Sequence, residues 1–317
     1  MIAAGVSLLQ AAATAADAQS YPSRPIRLIV PFTAGGGTDI AARLVGQRLS
    51  ERLATGVVID NRTGAGGTVG TDIVAKAAPD GYTLALVSSS HSINPSLYRK
   101  LPYDTIRDFA PVTLVVLAPG MLVINPGVAA RTVKEFIELA RARPGQLVYG
   151  SAGNGTPTHL AMELLKSSAG IDVLHIPYKG AGSLVPDLIG GQIAAAIPSA
   201  ASVLALVQAG KLRGLAVTSG ARSAAAPAIP TMSEAGLPGY EASSWYGMVA
   251  PAGTPRAVID RLNRETVEIL RLDDVRERLI AQALDPAGGP AGEFAARIRD
   301  EIAKWGRVVK ASGARID

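Results

Sequence analysis

The chain contains no cysteine, which excludes disulfide staples, thiolate metal sites, a cysteine nucleophile and a lipid-anchored cysteine together. Histidine is nearly as scarce. His91, His159 and His175 are the only three, they are widely separated, and none belongs to an HExxH pair, so no metal centre is expected. Charged residues make up 18% of the chain, against about 25% in an average protein. The 31 Lys and Arg exceed the 26 Asp and Glu by five, but the basic residues are scattered singly, which is too diffuse for a nucleic-acid surface. Neither a GxxxxGK[ST] phosphate loop nor a GxSxG nucleophile elbow occurs. Beyond residue 20 no segment offers the run of about 20 apolar residues that a membrane helix needs.

What is present describes a protein with real cores. Apolar residues are 48% of 317, and at about 100–200 residues per domain that length predicts two domains. Residues 1–20 read as a secretory signal peptide, an apolar run followed by Ala16-Asp17-Ala18, with cleavage expected after Ala18. The run lacks a preceding Lys or Arg, so the true translation start is expected further upstream. Cleavage would remove Asp17 and raise the formal charge from 31 − 26 = +5 to 31 − 25 = +6. A mildly positive field favours anionic small molecules.

From Ile26 onward short aliphatic runs alternate with helical patterns, which predicts α/β layers on mostly parallel sheets. Strands are expected at Ile26–Val30, Val57–Asp60 and Thr83–Ser88, with a helix from Asp39 to Leu53. Thr132 and Glu135 match a capping box, and Thr254 followed by Pro255 matches a helix start. Met121–Asn125 and Trp245–Ala250 are expected to be paired crossings between two lobes. The resulting division is 21–120 with 250–317 for a discontinuous first lobe and 121–249 for the second.

In open α/β sheets ligands sit beyond the carboxyl ends of strands. Those ends carry small polar residues here: Thr33 to Asp39, Ser88-Ser89-Ser90, Ser151 to Thr156, Tyr178 to Gly182, and Ser199. Glycine lets backbone N–H groups approach an anion, hydroxyls add rotating donors, and helix N-termini add favourable partial charge. Each loop alone is equally ordinary punctuation; their recurrence at successive strand ends carries the argument. Gly64-Ala65-Gly66 with Gly70 resembles a dinucleotide fingerprint, yet the next strand ends in Ser88 where an acidic residue is needed. Gly35-Gly36-Gly37 precedes a strand ending in Asp60, but its third fingerprint glycine falls on Ile40. Asp39 is most simply a helix-opening carboxylate, Asp187 is similarly local to its helix, and Lys179 is open between neutralising a ligand and facing solvent. Phe32, Tyr178, Trp245 and Tyr246 stand where core packing and ligand contact are equally open. Nothing assembles a nucleophile, a base and an orienting group.

The run Tyr21-Pro22, Arg24-Pro25-Ile26, Ile29-Val30-Pro31-Phe32 and Gly35-Gly36-Gly37-Thr38-Asp39 resembles the Bug family, the TctC-like periplasmic receptors of tripartite tricarboxylate transporters. Asp60-Asn61-Arg62, Pro79-Asp80-Gly81-Tyr82, Gly153, Gly155-Thr156, His159-Leu160, Pro177-Tyr178-Lys179-Gly180 and Gly190-Gly191-Gln192 continue the likeness over the mature chain. The resemblance implies an α/β, two-lobed type II periplasmic-binding-protein fold with a two-strand hinge and a ligand cleft between the lobes. It implies a non-enzymatic receptor for a small organic carboxylate, without cofactor or metal, that is monomeric and works with membrane permease subunits or a sensor domain in the periplasm. Carried over by position, Phe32, Thr33, Gly36, Thr38, Ser88, Ser89, Ser90, Ser151, Gly155, Thr156, His159 and Tyr178 are its ligand-binding residues, and Ser199 joins them as a strand-end serine. The alternative is an enzyme acting on a nucleotide or acyl substrate through the glycine-rich loops. After Gly191-Gln192-Ile193 the family often has an acidic residue where this chain has Ala194, so an acidic or neutral ligand is expected over an amino acid.

Overall fold

The computed structural model describes residues 21–316, so the expected signal peptide lies outside the described residues. The first sheet opens with β1 (Ile26–Val30), followed by α1 (Gly37–Leu53), β2 (Val57–Asn61), α2 (Thr68–Ala75), β3 (Thr83–Ser88), α3 (Ser90–Leu97) and β4 (Phe109–Ala118). The second begins at β5 (Met121–Ile124) and continues through α4 (Val133–Ala142), β6 (Val148–Ser151), α5 (Pro157–Ala169), β7 (Leu174–Pro177), α6 (Ala181–Ile189), β8 (Ala195–Ala196), α7 (Ala200–Gln208) and β9 (Arg213–Val217). The chain then returns through β10 (Ser244–Pro251), α8 (Arg256–Arg271), α9 (Asp273–Ile280), β11 (Asp285–Pro286) and α10 (Ala291–Ser312).

Strand order is β11-β4-β10-β3-β1-β2 in one sheet and β7-β6-β8-β5-β9 in the other. Each sheet is mixed. β1 pairs parallel with β2 and β3, and β6 parallel with β7 and β8. The strands joining the two halves of the chain add antiparallel ladders, β10 with β3 and β4, and β5 with β8 and β9. β1 and β3 carry buried aliphatic runs, Leu28–Val30 and Leu84–Val87, as strands covered on both faces do.

Two local expectations change. Met121–Ile124 lies wholly in the second sheet and Ser244–Pro251 wholly in the first, so neither strand crosses. The passages are shorter, at Pro119-Gly120 and at Ala242-Ser243, and Thr218 ties them together: its Oγ1 accepts from Gly120 N at 2.8 Å and its carbonyl from Ala242 N at 2.9 Å. Thr254 donates back to Pro251 O at 2.8 Å instead of capping, and α8 starts after Pro255. Thr132 does cap α4, accepting from Glu135 N at 3.1 Å, while Glu135 reaches back to Arg131 N at 2.6 Å.

Helix α10 belongs to both cores. Phe294 and Ile298 near its start pack with Trp245 and Val249 of β10. Trp305, Val308 and Val309 near its end pack with Leu160 and Leu165 of α5 and with Leu97.

Candidate functional site

The first loop is held by its own aspartate. Asp39 is buried and accepts from Gly35 N at 2.9 Å, Arg43 Nε at 2.8 Å and Asn61 Nδ2 at 3.0 Å. Burial alone would raise its pKa, but these three donors hold the carboxyl below its usual range. Asn61 also donates to Phe32 O at 3.0 Å, fixing the entry to the loop. Gly36 precedes α1 as its cap residue with no side chain over the helix N–H groups. Thr33 is exposed, Thr38 is buried, and the Phe32 ring packs over Gly67. A Cβ at Gly37 would lie 2.6 Å from Tyr246 Oη, so the glycine lets the phenol rest over the start of α1.

Ser88 ends β3, and Ser89 and Ser90 follow it; Ser88 and Ser89 are buried and Ser90 is partly exposed. Ser88 Oγ accepts from Ser90 N at 3.3 Å, and Ser89 is buried with its N donating to Trp245 O at 3.0 Å. His91, next in line, is a core residue between Tyr103 and Phe109, its ring nitrogens unpartnered and burial bringing its pKa down to about 4.

In the second lobe the polar loop 151–158 is internally bonded. Thr156 caps α5, donates to Gly153 O at 2.6 Å and meets Thr158 Oγ1 at 2.9 Å. Thr158 in turn accepts from Ala152 N at 2.9 Å. Gly155 N donates to His159 Nδ1 at 3.1 Å, which leaves the neutral ring's proton on Nε2, 4.0 Å from Glu163. Ser151 Oγ lies 2.7 Å from His175 Nε2, and the His175 ring stacks between Tyr149 and His159 at 4.7 and 4.3 Å. Burial lowers both histidines, and because protonating both adjacent rings would set like charges together, His175 falls to about 4. Both rings are therefore neutral at neutral pH. The serine–histidine pair does not form a nucleophile, because Ser151 is fully buried and its Oγ is engaged by Gly153 on both sides, accepting from N and donating to O at 3.1 Å.

Between the sheets lies a cavity of about 260 Å³. Thr156, Pro157, Thr158 and Ala161 of α5 form one side, and Ile197, Pro198 and Ser199 at the end of β8 form another. Ala118, Gly120 and Ala242 at the passages close the back, and Ser244 and Tyr246 of β10 bring the first sheet to it. Through Tyr246 the cavity adjoins the N-terminus of α1 at Gly37. A larger groove of about 490 Å³ is lined by residues 95–108 and Ile302, with no contribution from the second sheet.

Of the thirteen expected ligand residues, Thr156 and Ser199 line this cavity directly. Gly36 and Thr38 flank the Gly37–Tyr246 contact, whereas Phe32 and Thr33 lie at the outer end of their loop. Ser151, Gly155 and His159 stand behind the lining, shaping the loop that carries Thr156. Tyr178 turns away: its hydroxyl donates to Asp187 Oδ2 at 2.8 Å, and burial with that carboxylate pushes the phenol up to about 12. Ser88, Ser89 and Ser90 do not line the cavity. Thr158, Ser244 and Tyr246 are the polar lining that sequence reasoning left out of the site; Tyr246 was legible only as an aromatic beside a hinge. Ala194 precedes the central strand β8, and its N donates to Val148 O at the opening of β6, whose other end carries Ser151, so it lies at the opposite end of these strands from the Ser151 loop and is not among the residues lining the cavity.

Among the described residues no helix is long and apolar enough to cross a membrane. The chain is 41% identical over 302 residues to protein BugT of Bordetella pertussis strain Tohama I, covering 95% of this chain and 93% of that one. Among solved structures it resembles Rpa4515 of R. palustris with adipate, at a TM-score of 0.79 and 36% identity over 94% of this chain and 100% of that one. It also resembles MatC of Rhodopseudomonas palustris with bound malate, at a TM-score of 0.74 and 30% identity over 91% and 100%. Residues 41–314 match the family described as tripartite tricarboxylate transporter family receptor. With that match spanning the cavity lining and both passages, the chain belongs to the tripartite tricarboxylate transporter receptor family.

Proposed function

We propose that the protein is a periplasmic, monomeric receptor that captures a small organic carboxylate between its lobes without chemically changing it. Residues 21–118 with 244–316 would form one jaw and 121–241 the other, turning about the passages near Gly120 and Ser243. The observation that carries this reading is the cavity itself: Ser199, Ser244 and Tyr246 line it with hydroxyls, Thr156 and Thr158 line it with their own hydroxyls held by the loop, and α5 and α7 begin at its wall. Helix N-termini and hydroxyl donors are the groups that hold an anion without a counter-cation. Relatives whose structures carry adipate and malate support the ligand class. The proposed ligand residues are Thr156, Ser199, Thr158, Ser244 and Tyr246, joined on closure by the backbone of the loop around Gly36 and Thr38. Closure is a shift toward a shut form that binds the ligand better, and the shut form is what a membrane permease or sensor would recognise.

A thermal-shift screen over mono-, di- and tricarboxylates, aromatic acids and nucleotides tests the proposal. A ligand at a hundred times its dissociation constant adds about 2.7 kcal/mol of stability. Stabilisation by nucleotides alone would overturn the reading in favour of an enzyme on a nucleotide substrate.

A further inference from the structure

We infer that Leu97 and Ile316, both of the first jaw, are positioning residues for a loop of the second: they hold Gly155, and through it Thr156 and the start of α5, at the cavity wall. The inference deepens the carboxylate reading and takes from it the role of Thr156.

Gly155 stands immediately before the residue that caps α5, and its backbone is fixed from two sides. On the inner side its N–H donates to His159 Nδ1 at 3.1 Å. On the outer side it meets the first jaw. A Cβ at Gly155 would lie 3.0 and 3.1 Å from the two methyl groups of Leu97 and 3.5 Å from Ile316 Cδ1. Its φ of +71° is open to glycine and rarely adopted by other residues, so the glycine permits both the turn and the close approach.

The surface it rests on is braced. Ile316 N donates to Leu97 O at 3.1 Å, and Ile316 bridges Tyr98 in parallel register. Leu97 ends α3 and shares one buried cluster with Leu160 of α5 and Trp305 of α10, and Ile316 packs against that cluster. The end of α3 and the segment after α10 thus form an apolar wall beside the loop. The hydrogen bonds given above for residues 151–159 all stay within the second jaw, so they set the shape of the loop and not its distance from β10. Apolar contact supplies that distance, and sharply: a gap of about 0.5–1 Å forfeits about a quarter to a half of such an attraction. Neither Leu97 nor Ile316 lines the cavity, so each acts on a ligand only through Gly155.

The test is calorimetric titration of the full protein with succinate, malate and adipate, in the parent, Ile316→Ser and Ile316→Leu, beside denaturant unfolding of each. Ile316 is half-buried and lies beyond the last helix, so the serine variant is expected to fold with a midpoint close to the parent's. It should bind the carboxylate that the parent binds at least fivefold more weakly, and Ile316→Leu should return within twofold of the parent. Unchanged affinity in Ile316→Ser overturns the inference and leaves the carboxylate reading intact. A loss that Leu does not restore, matched by a fall in the unfolding midpoint, overturns it as well. Amide hydrogen exchange of the ligand-free proteins reads the same contact without a ligand. The Gly155 and Thr156 amides should exchange at least fivefold faster in Ile316→Ser while those of β1 and β3 do not change, and unchanged exchange in the loop overturns the inference. A parent that binds none of the three acids counts against the carboxylate reading, and the exchange rates then decide the positioning by themselves.

Discussion

Strand β10 separates two regions built on opposite electrostatic terms. On one face Ser244 and Tyr246 look into a cavity with no Asp, Glu, Lys, Arg or His in its lining. On the other, Trp245 and Gly247 press against α10, where Glu301 accepts the Trp245 indole at 2.6 Å and the Trp305 indole at 3.3 Å. Arg297 and Lys304 reach the other oxygen of Glu301 at 3.4 and 3.5 Å, and Arg297 also meets Glu241 at 3.2 Å. Trp245 packs in the core under the first sheet and Trp305 in the core under the second, so one carboxylate binds an indole from each. Full charges fix geometry on the α10 face. Neutral dipoles line the cavity face, which is the proposed place for a guest to enter and leave.

The comparison breaks most readily at Glu301. Glu301→Ala would strand two buried indole donors and leave Arg297 and Lys304 facing an empty site. Breaking such a buried arrangement costs about 3–5 kcal/mol, readable by denaturant unfolding followed through the two tryptophans. Glu301→Gln keeps an acceptor oxygen and should lose clearly less. A loss below 1 kcal/mol for the alanine variant would show that the back of the hinge is held by packing instead.

His91 sharpens the same contrast from inside the first core. Its ring has no hydrogen-bond partner among Tyr103 and Phe109, and burial depresses its pKa from 6.5 to about 4. The unfolded chain binds the proton first, so this contribution is intact above about pH 6.5 and is lost as pH falls toward 4. Each such group gives a slope of about 1.4 kcal/mol per pH unit, so His91 accounts for about 3 kcal/mol across the window. His175, lowered to about 4, adds a slope of the same sign. His91→Phe should flatten the stability profile between pH 6.5 and 4 by nearly one proton while leaving stability at pH 8 unchanged or raised. An unaltered slope would mean that water reaches His91.

Much of this architecture is legible in the residues, and the losses have physical causes. Strands β1 and β3 and the loop around Asp39 announce themselves, because buried parallel strands are uniformly aliphatic and glycines mark the turns. The long strand β4 escapes notice: Phe109–Ala118 has Pro111 and Thr113 inside it and no alternation, since one edge pairs with β10 and the other with the two-residue β11. The passages between sheets are misplaced by a few residues because the aliphatic strands beside them, β5 and β10, carry the visible signal, while Pro119-Gly120 and Ala242-Ser243 look like ordinary turns. Within the site, strand-end serines are found but their direction is not. Ser88, Ser89 and Ser199 look alike in sequence, and tertiary packing alone buries the first two and leaves Ser199 on the cavity wall.

A smaller effect is expected at Gly247, on the crowded face. A Cβ there would stand 2.1 Å from the Phe294 ring, so Gly247→Ala must push α10 away from β10. Overpacking of this kind costs about 1–3 kcal/mol. Pairing it with Phe294→Leu, which clears the space, should recover part of the loss in a double-mutant cycle. Simple additivity would place the strain elsewhere.

The smallest effect belongs to the neighbour on the open face. Tyr246 is half-buried, burial raises its pKa, and its hydroxyl rests over Gly37 beside Thr38 at the start of α1. Removing that hydroxyl in Tyr246→Phe takes away one neutral hydrogen bond, about 0.5–1.5 kcal/mol, and so at most about tenfold in ligand affinity. Melting of the ligand-free protein should barely move, unlike that of the Gly247 variant one residue away. Gly37→Ala displaces the same phenol by placing a Cβ 2.6 Å from its oxygen, and it should reproduce the affinity loss. If both variants bind carboxylates as tightly as the parent while Thr156→Val does not, the second lobe alone sets affinity, and the front of β10 serves only as a wall.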